Sequence, residues 1–423
     1  MKVLGVIVEY NPFHFGHLHH LEEAKKLTGP DYTIAVMSGN FCQRGEPAIV
    51  NKFARSEIAL RSGIDIVFEL PTVYAVQDAG GFALGSVGVL HKTGVVSDIV
   101  FGSESGDIEF LKKVAHLLTF QTPEFEVAFK RQLKLGYSYP NARKYALMDV
   151  LNSEVEKLSK SNDILGIEYV KALIKYDSKI TPHVIKRVGS DYNDETFKGK
   201  FSSASAIRKA IKLNEFSSAK EALPQATYEI LSREFSEGRG PVFWEYLDFL
   251  ITMFRKMKRE DFERIYSFNE GLDLRFYEAS RNCGDVQCFV EQVKAKRFTY
   301  SRIRRAMLHV LFDMDKEHVE TSNEKGPQYL RVLGFTEKGR ELLKVIKKSA
   351  SVPIISTASL YKNVLEEAKK KIAEGKVNFD IDEELYMWQF ERDLLASDIY
   401  TFLYPEKKQR QAGMDYNMRV INL

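Results

Sequence analysis

Cysteine is scarce in this chain, with Cys42, Cys283 and Cys288 the only three among 423 residues. An odd number without zinc-type spacing excludes a disulfide-framework scaffold and a zinc site legible from sequence. No run of about 18 uncharged apolar residues occurs, which argues against a membrane-spanning helix. A large excess of charge is also missing: 61 Lys and Arg against 58 Asp and Glu leave +3. Any affinity for nucleic acid must therefore come from a local patch rather than the global balance. No internal repeat and no low-complexity tail appear, and the first apolar strand begins too near Met1 for a signal peptide. The expectation is a reducing, cytoplasmic setting with no membrane association.

What is present is ordinary for a globular protein of two or three domains, at 44% hydrophobic and 28% charged residues. Over the first 105 residues apolar strands alternate with helices. Strands are expected at Val3–Val8, Tyr32–Met37, Asp65–Leu70 and Asp98–Phe101, with helices over Gly16–Leu27, Asn51–Ser62 and Ala75–Thr93. That alternation predicts an α/β fold with a Rossmann-like, parallel, doubly wound sheet, whose ligand crevice lies at the carboxyl ends of the strands. His14, Ser38, Gly39 and Gly102 all fall at such ends. Residues 106–180 read as a helical insertion before a last strand, His183–Val188. A turn-rich stretch, Ser236-Glu237-Gly238-Arg239-Gly240-Pro241, marks the expected boundary between a unit at 1–236 and a mostly helical unit at 241–423.

Four of the nine histidines, His14, His17, His19 and His20, lie within seven residues directly after the first strand. Histidines opening a helix after a parallel strand stand where an anion binds, because free backbone N–H groups and the helix dipole point there. His14 and His17 share one helical face and can stabilise charge on a phosphate. Gly16 between them lets a phosphate approach the backbone. His20 shares the face of His17, whereas His19 is expected toward solvent. No Asp or Glu has the spacing to complete a metal site with these histidines.

Two further segments carry chemistry. Ser202-Ser203-Ala204-Ser205-Ala206-Ile207-Arg208 places hydroxyls of Ser203 and Ser205 and the Arg208 guanidinium at a helix start, suited to a polyphosphate. A plain helix N-cap is the alternative. The stretch from Lys294 to Arg305 holds Lys294, Lys296, Arg297, Arg302, Arg304 and Arg305 with no acidic residue, and Phe298 and Tyr300 are interleaved. Basic groups contact phosphates and aromatic rings stack on splayed bases. Lys407, Lys408 and Arg410 form a smaller basic cluster. Lys157-Leu158-Ser159-Lys160-Ser161 looks like a signature loop of class I aminoacyl-tRNA synthetases, but its order along the chain argues for coincidence.

Several stretches together closely resemble the bacterial tRNA(Met) cytidine acetate ligase family of the nucleotidyltransferase superfamily. They are Val8 to His20, Val36 to Pro47, Phe101-Gly102-Ser103-Glu104, Ser161 to Tyr169 and Lys296 to Tyr300. The resemblance implies an enzyme that uses ATP to activate acetate as acetyl-adenylate. It then transfers acetyl to N4 of the wobble cytidine of elongator tRNA(Met), with AMP and pyrophosphate released. Carried over by motif, it implies an ATP site of Ile7, Val8, Glu9, Tyr10, Asn11, Pro12, Phe13, His14, Phe15, Gly16, His17, Leu18, His19, His20, Gly102, Asn162 and Arg187. One departure is visible: Leu274 stands where the family often has Asn.

On this reading His14 and His17 are the catalytic residues beside the phosphates, and Mg²⁺ bridges the phosphates without assignable protein ligands. The basic segment docks tRNA, so that replacing Arg302, Arg304 and Arg305 should weaken RNA binding and leave acetate activation alone. The rival enzyme is a small-molecule nucleotidyltransferase that adenylates a phosphorylated metabolite. A catalytically silent RNA-binding protein on the same scaffold is the non-enzymatic rival.

Overall fold

The structure, a computed structural model, describes residues 1–137, 139–151, 160–186 and 199–423. Its centre is a sheet built from β1 (Val3–Val8), β2 (Tyr32–Ser38), β5 (Ile66–Leu70), β6 (Asp98–Ser103), β7 (Thr181–Lys186), β8 (Leu330–Phe335), β9 (Ile354–Ile355) and β10 (Ile421–Asn422). A separate two-stranded hairpin pairs β3 (Phe41–Cys42) with β4 (Glu46–Pro47). The sheet order is β10-β8-β5-β2-β1-β6-β7, with β9 beside β8. β1 is central and runs parallel to β2 and β6, β2 to β5, and β6 to β7. This is the expected doubly wound arrangement, with the strand order reversing at β1 and a crevice between the ends of β1 and β6.

The strands read as near-continuous Val, Ile, Leu and Phe because helices cover both faces. Val3, Leu4 and Val6 of β1 and Ile34 to Met37 of β2 are buried. The first helix, Phe15–Thr28, ends at Gly29 in the left-handed region, whose N–H returns to the Lys25 carbonyl. The expected 75–93 helix is broken: Thr72–Ala75 is a single turn, and Asp78 caps a new helix, Ala79–Lys92, by accepting from the Gly81 N–H at 3.1 Å. Among the described residues no helix is long and apolar enough to cross a membrane.

The chain beyond the turn at 236–241 is mostly helical, as expected, yet it is not a separate layer. β8 inserts antiparallel against β5 and carries β9 and β10, so the edge of the N-terminal sheet is made by the C-terminal half. One hydrophobic core runs from Val3 to Met414. A buried charge cluster crosses the same junction. Lys52 Nζ lies 2.8 Å from both Glu69 and Asp415, and Arg331 of β8 lies 3.4 Å from Asp415. Burial pushes the Glu69 carboxyl up to about 7 despite the Lys52 ammonium beside it. Asp393, which accepts from the Thr72 N–H, is also raised by burial. Two cations facing three carboxylates leave one negative charge in excess, so a retained proton is the physical expectation.

Cys283 and Cys288 form a disulfide between the helices Leu272–Asn282 and Val286–Val293, a pairing that the reading of three unspaced cysteines did not anticipate. Cys42 is a buried thiol.

Candidate active site at the strand ends

β1 stops at Val8, and the chain turns through Glu9, Tyr10, Asn11 and Pro12. Tyr10 takes a positive φ of 49° and the Asn11–Pro12 bond is cis. A non-glycine residue in the left-handed region costs on the order of 1–3 kcal/mol and persists where its surroundings over-determine it. Here the turn is held on all sides. The Tyr10 ring is buried, 4.6 Å from Phe13 and 5.1 Å from His17 between centroids. Asn11 Oδ1 accepts from the Ile49 N–H at 2.8 Å, and its Nδ2 donates to Cys42 Sγ at 3.6 Å.

The helix Phe15–Thr28 then opens on His14, whose Nδ1 accepts from the Gly16 N–H at 3.0 Å. That bond assigns the remaining ring proton to Nε2, leaving it as a donor. The His14 and His17 rings stack at 3.8 Å with 30° between planes. Gly16 has a second role beyond access to the backbone: a Cβ there would meet His14 Cε1 at 2.8 Å. The glycine therefore makes room for the imidazole that caps its own helix. His19 is exposed, as expected, and His20 is half-buried together with Ile7, Val8, Phe15 and Leu18.

The serine-rich segment comes to this turn from the far side of the sheet. Ser203 caps the helix Ala204–Lys212, accepting from the Ala206 N–H at 3.1 Å, so the N-cap alternative describes its hydroxyl. Arg208 does more. Its Nη1 donates to the Asn11 carbonyl at 2.8 Å, and its Nη2 lies 3.5 Å from Ser205 Oγ and 3.6 Å from Glu46 Oε2. The helix Ala204–Lys212 is thus tied through one guanidinium to the turn that precedes the first helix.

On the other flank of β1, Gly102 pairs with Ile185 near the end of β6. Glu104, just beyond, holds the start of the helix Ser161–Lys175. It accepts from Asn162 Nδ2 at 2.7 Å and from the Asp163 N–H at 3.0 Å. Asp163, fully buried, accepts in return from Ser103 Oγ and the Ser105 N–H. The end of β6 just beyond Gly102 is therefore tied to the start of the helix at Asn162 and Asp163. Arg187, and Lys157-Leu158-Ser159 of the synthetase-like run, lie outside the described residues.

Sequence reasoning did not single out Arg55. It is fully buried on the helix Lys52–Arg61 and donates to backbone carbonyls of Glu9 at 2.7 Å, Gly39 and Val50 at 3.2 Å. Its guanidinium thus bridges the splayed ends of β1 and β2. Glu9 is fixed from the opposite side, accepting from the Gln43 N–H at 2.7 Å. The only signal available was the run Val36 to Pro47, which named the hairpin but not its partner on the following helix.

The basic segment divides in two. Lys296 and Arg297 are exposed, and Tyr300 is 44% exposed. Lys294 turns its ammonium to the Ala295 and Phe298 carbonyls at 3.3 and 3.2 Å. Phe298 is fully buried rather than offered to a base, with Arg302 4.9 Å and Arg297 5.1 Å from its ring centroid. Arg302 pairs with Glu270 at 3.0 Å. Arg304 pairs with Glu46, and Arg305 donates to the Gln43 carbonyl at 3.2 Å, so both reach into the hairpin beside the His14 turn. The expectation that Arg304 and Arg305 serve only an RNA face does not fit these contacts. Leu274 is exposed at 40%.

A central parallel strand, a histidine-capped helix and an arginine closing the turn define a nucleotide-handling α/β transferase site. The description "HIGH Nucleotidyl Transferase" fits residues 1–415 of the chain. The chain is 79% identical over its full length to the full-length tRNA(Met) cytidine acetate ligase of Fervidobacterium nodosum. It is 57% identical, over 100% of its length and 99% of the relative's, to the Thermosipho africanus ligase of the same name. The crystal structure of apo Thermotoga maritima TmcAL superposes with a TM-score of 0.95 at 52% identity, with full coverage of both chains. The form bound with alpha-thio ATP gives 0.93 at the same identity and coverage. The chain belongs to the tRNA(Met) cytidine acetate ligase family of the HIGH nucleotidyl transferases.

Proposed function

We propose that this chain activates acetate with ATP and transfers the acetyl group to N4 of the wobble cytidine of elongator tRNA(Met). The observation that carries the reading is the meeting of Arg208 with the Asn11 carbonyl inside the turn that leads into the helix of His14 and His17. In the first step an acetate oxygen attacks the α-phosphorus of ATP in line. The bond to the bridging oxygen breaks and pyrophosphate leaves. The chain supplies positioning and charge, a role this reading gives to His14 Nε2–H, His17, Arg208 and the helix N-terminus. In the second step the cytidine amine attacks the acyl carbon, the C–O bond to AMP breaks, and the amine loses one proton.

Among the described residues no group of three or more His, Cys, Asp or Glu side chains is placed to hold a metal ion. A Mg²⁺ brought in with ATP would supply charge neutralisation at the phosphates. The exposed pair Lys296 and Arg297, with Tyr300, is the proposed start of the tRNA-facing surface. The alternative of adenylating a phosphorylated metabolite draws no support from the relatives' names.

The test is ATP–pyrophosphate exchange without tRNA, run with acetate, formate, propionate or no acid. Exchange that depends on acetate supports the reading. Exchange indifferent to every carboxylic acid but dependent on a phosphorylated metabolite overturns it.

A further inference from the structure

The hairpin from Phe41 to Pro47 stands between the nucleotide turn and the basic segment and touches both. Toward the turn, the Gln43 N–H meets the Glu9 carboxylate, and Glu46 Oε2 lies 3.6 Å from the Arg208 guanidinium that holds Asn11. Toward the basic helix Tyr300–Leu311, Glu46 Oε1 accepts from Arg304, and the Gln43 carbonyl accepts from Arg305. The backbones are equally close. Gly45 has a φ of +80°, and a Cβ there would lie 2.6 Å from the Arg305 nitrogen and 2.7 Å from the Arg304 carbonyl carbon. The hairpin tip therefore rests on the helix itself. Arg304 is steadied from a third direction by the Trp244 ring, 4.9 Å from its guanidinium carbon.

A carboxylate shared by two guanidinium groups is oriented by both, and its orientation sets where each can sit. All three side chains are mostly shielded, with 20% to 24% exposure, so the pairing is screened less than a surface ion pair. We infer that Glu46 is a positioning residue of the nucleotide site, and that it makes Arg304 of the basic segment part of what holds Arg208 in place. The inference rests on the reading of the turn as an ATP site. It also implies that RNA drawn to this helix acts on a residue already coupled to the nucleotide.

Binding of a non-hydrolysable ATP analogue to the full chain, without tRNA or acetate, tests this directly. The variants are Glu46→Gln, Arg304→Met, Arg304→Lys and the double Glu46→Gln/Arg304→Met, each checked for the native fold by circular dichroism. Glu46→Gln and Arg304→Met should each weaken binding by roughly threefold to tenfold. The double variant should bind no more weakly than Glu46→Gln alone, and Arg304→Lys should recover part of the loss. Wild-type affinity in Glu46→Gln, or losses that multiply in the double variant, would overturn the coupling while leaving the ATP site standing. If Arg304→Met fails to fold, Glu46→Gln and Arg304→Lys decide the matter by the same criteria. A wild-type chain that does not bind the analogue would overturn both the coupling and the acetate-activation reading.

Discussion

Arg208 and Arg304 face the two oxygens of a single carboxylate: Arg208 lies 3.6 Å from Glu46 Oε2, and Arg304 pairs with Oε1. One arginine sits on the helix Ala204–Lys212 and bonds the Asn11 carbonyl, and the other belongs to the basic segment. The two proposed functions of the chain therefore touch through one side chain, and the hairpin that carries it is a structural part of the site.

His17 stands one helical turn from the cap, stacked on His14. Removing one preorganised donor of this type typically costs about 100- to 1,000-fold in rate. His17→Ala should lower acetate-dependent ATP–pyrophosphate exchange by about that factor while its far-ultraviolet dichroism stays native. Exchange within about threefold of wild type would remove His17 from the chemistry.

Gly16 admits the His14 ring. In Gly16→Ala the new methyl, 2.8 Å from His14 Cε1, must push the imidazole off its bond to the backbone N–H. The loss of a cap costs about 1 kcal/mol of stability. Exchange should fall by about tenfold or more, because the ring proposed to meet the phosphate has moved. Thermal unfolding and exchange measured on the same preparation separate the two effects.

Arg55 ties the carbonyls of Glu9, Gly39 and Val50. Arg55→Met leaves buried carbonyls without their charged donor and should destabilise the fold by on the order of 3 kcal/mol, read from the urea midpoint. A shift under about 0.5 kcal/mol would show that water takes over the guanidinium's bonds.

Glu69 titrates near 7 in the folded chain, raised by burial from an ordinary value of 4.5. A carboxyl that binds its proton more tightly when folded makes stability fall as pH rises between those two values. Glu69→Gln removes this contribution. Plotted against pH from about 4.5 to 7, the melting temperature of the wild type should therefore decline relative to that of the variant. Parallel curves would mean that Glu69 is ionised throughout.

Lys296 and Arg297 are the exposed members of the basic segment. Replacing both with Ala should weaken tRNA(Met) binding and flatten its dependence on salt, by roughly one unit of log–log slope for each phosphate no longer neutralised. An unchanged salt slope in a filter-binding titration would move the RNA surface elsewhere.

The α/β core was largely readable along the chain. β1 lies at Val3–Val8 and the first helix covers Gly16–Leu27, as the apolar periodicity and the glycine after the helix indicate. The histidine turn was readable too, because strand, turn and helix are contiguous there. β8 was missed: Leu330–Phe335 carries Arg331 in its middle, and a buried arginine breaks the apolar pattern that marks an interior strand. β9 and β10, at two residues each, are too short for any period. Within the stretch expected to be mostly helical, the chain breaks around Cys283 into two helices, Leu272–Asn282 and Val286–Val293.

Local order and chemical type, then, were written in the sequence by itself: the parallel strands, the capping His14, the hydroxyls of Ser203 and Ser205, and a basic run at 294–305. Backbone propensity and side-chain period act over a few residues, and these features need no more than that. The tertiary structure alone decided that Arg208 reaches Asn11, that Arg304 and Arg305 face the nucleotide hairpin, and that Lys52 meets both Glu69 and Asp415. Each of these is a charge taken partly or wholly out of water. Its partner is set by which distant segment the packed core brings within hydrogen-bond reach, and local sequence carries no record of that.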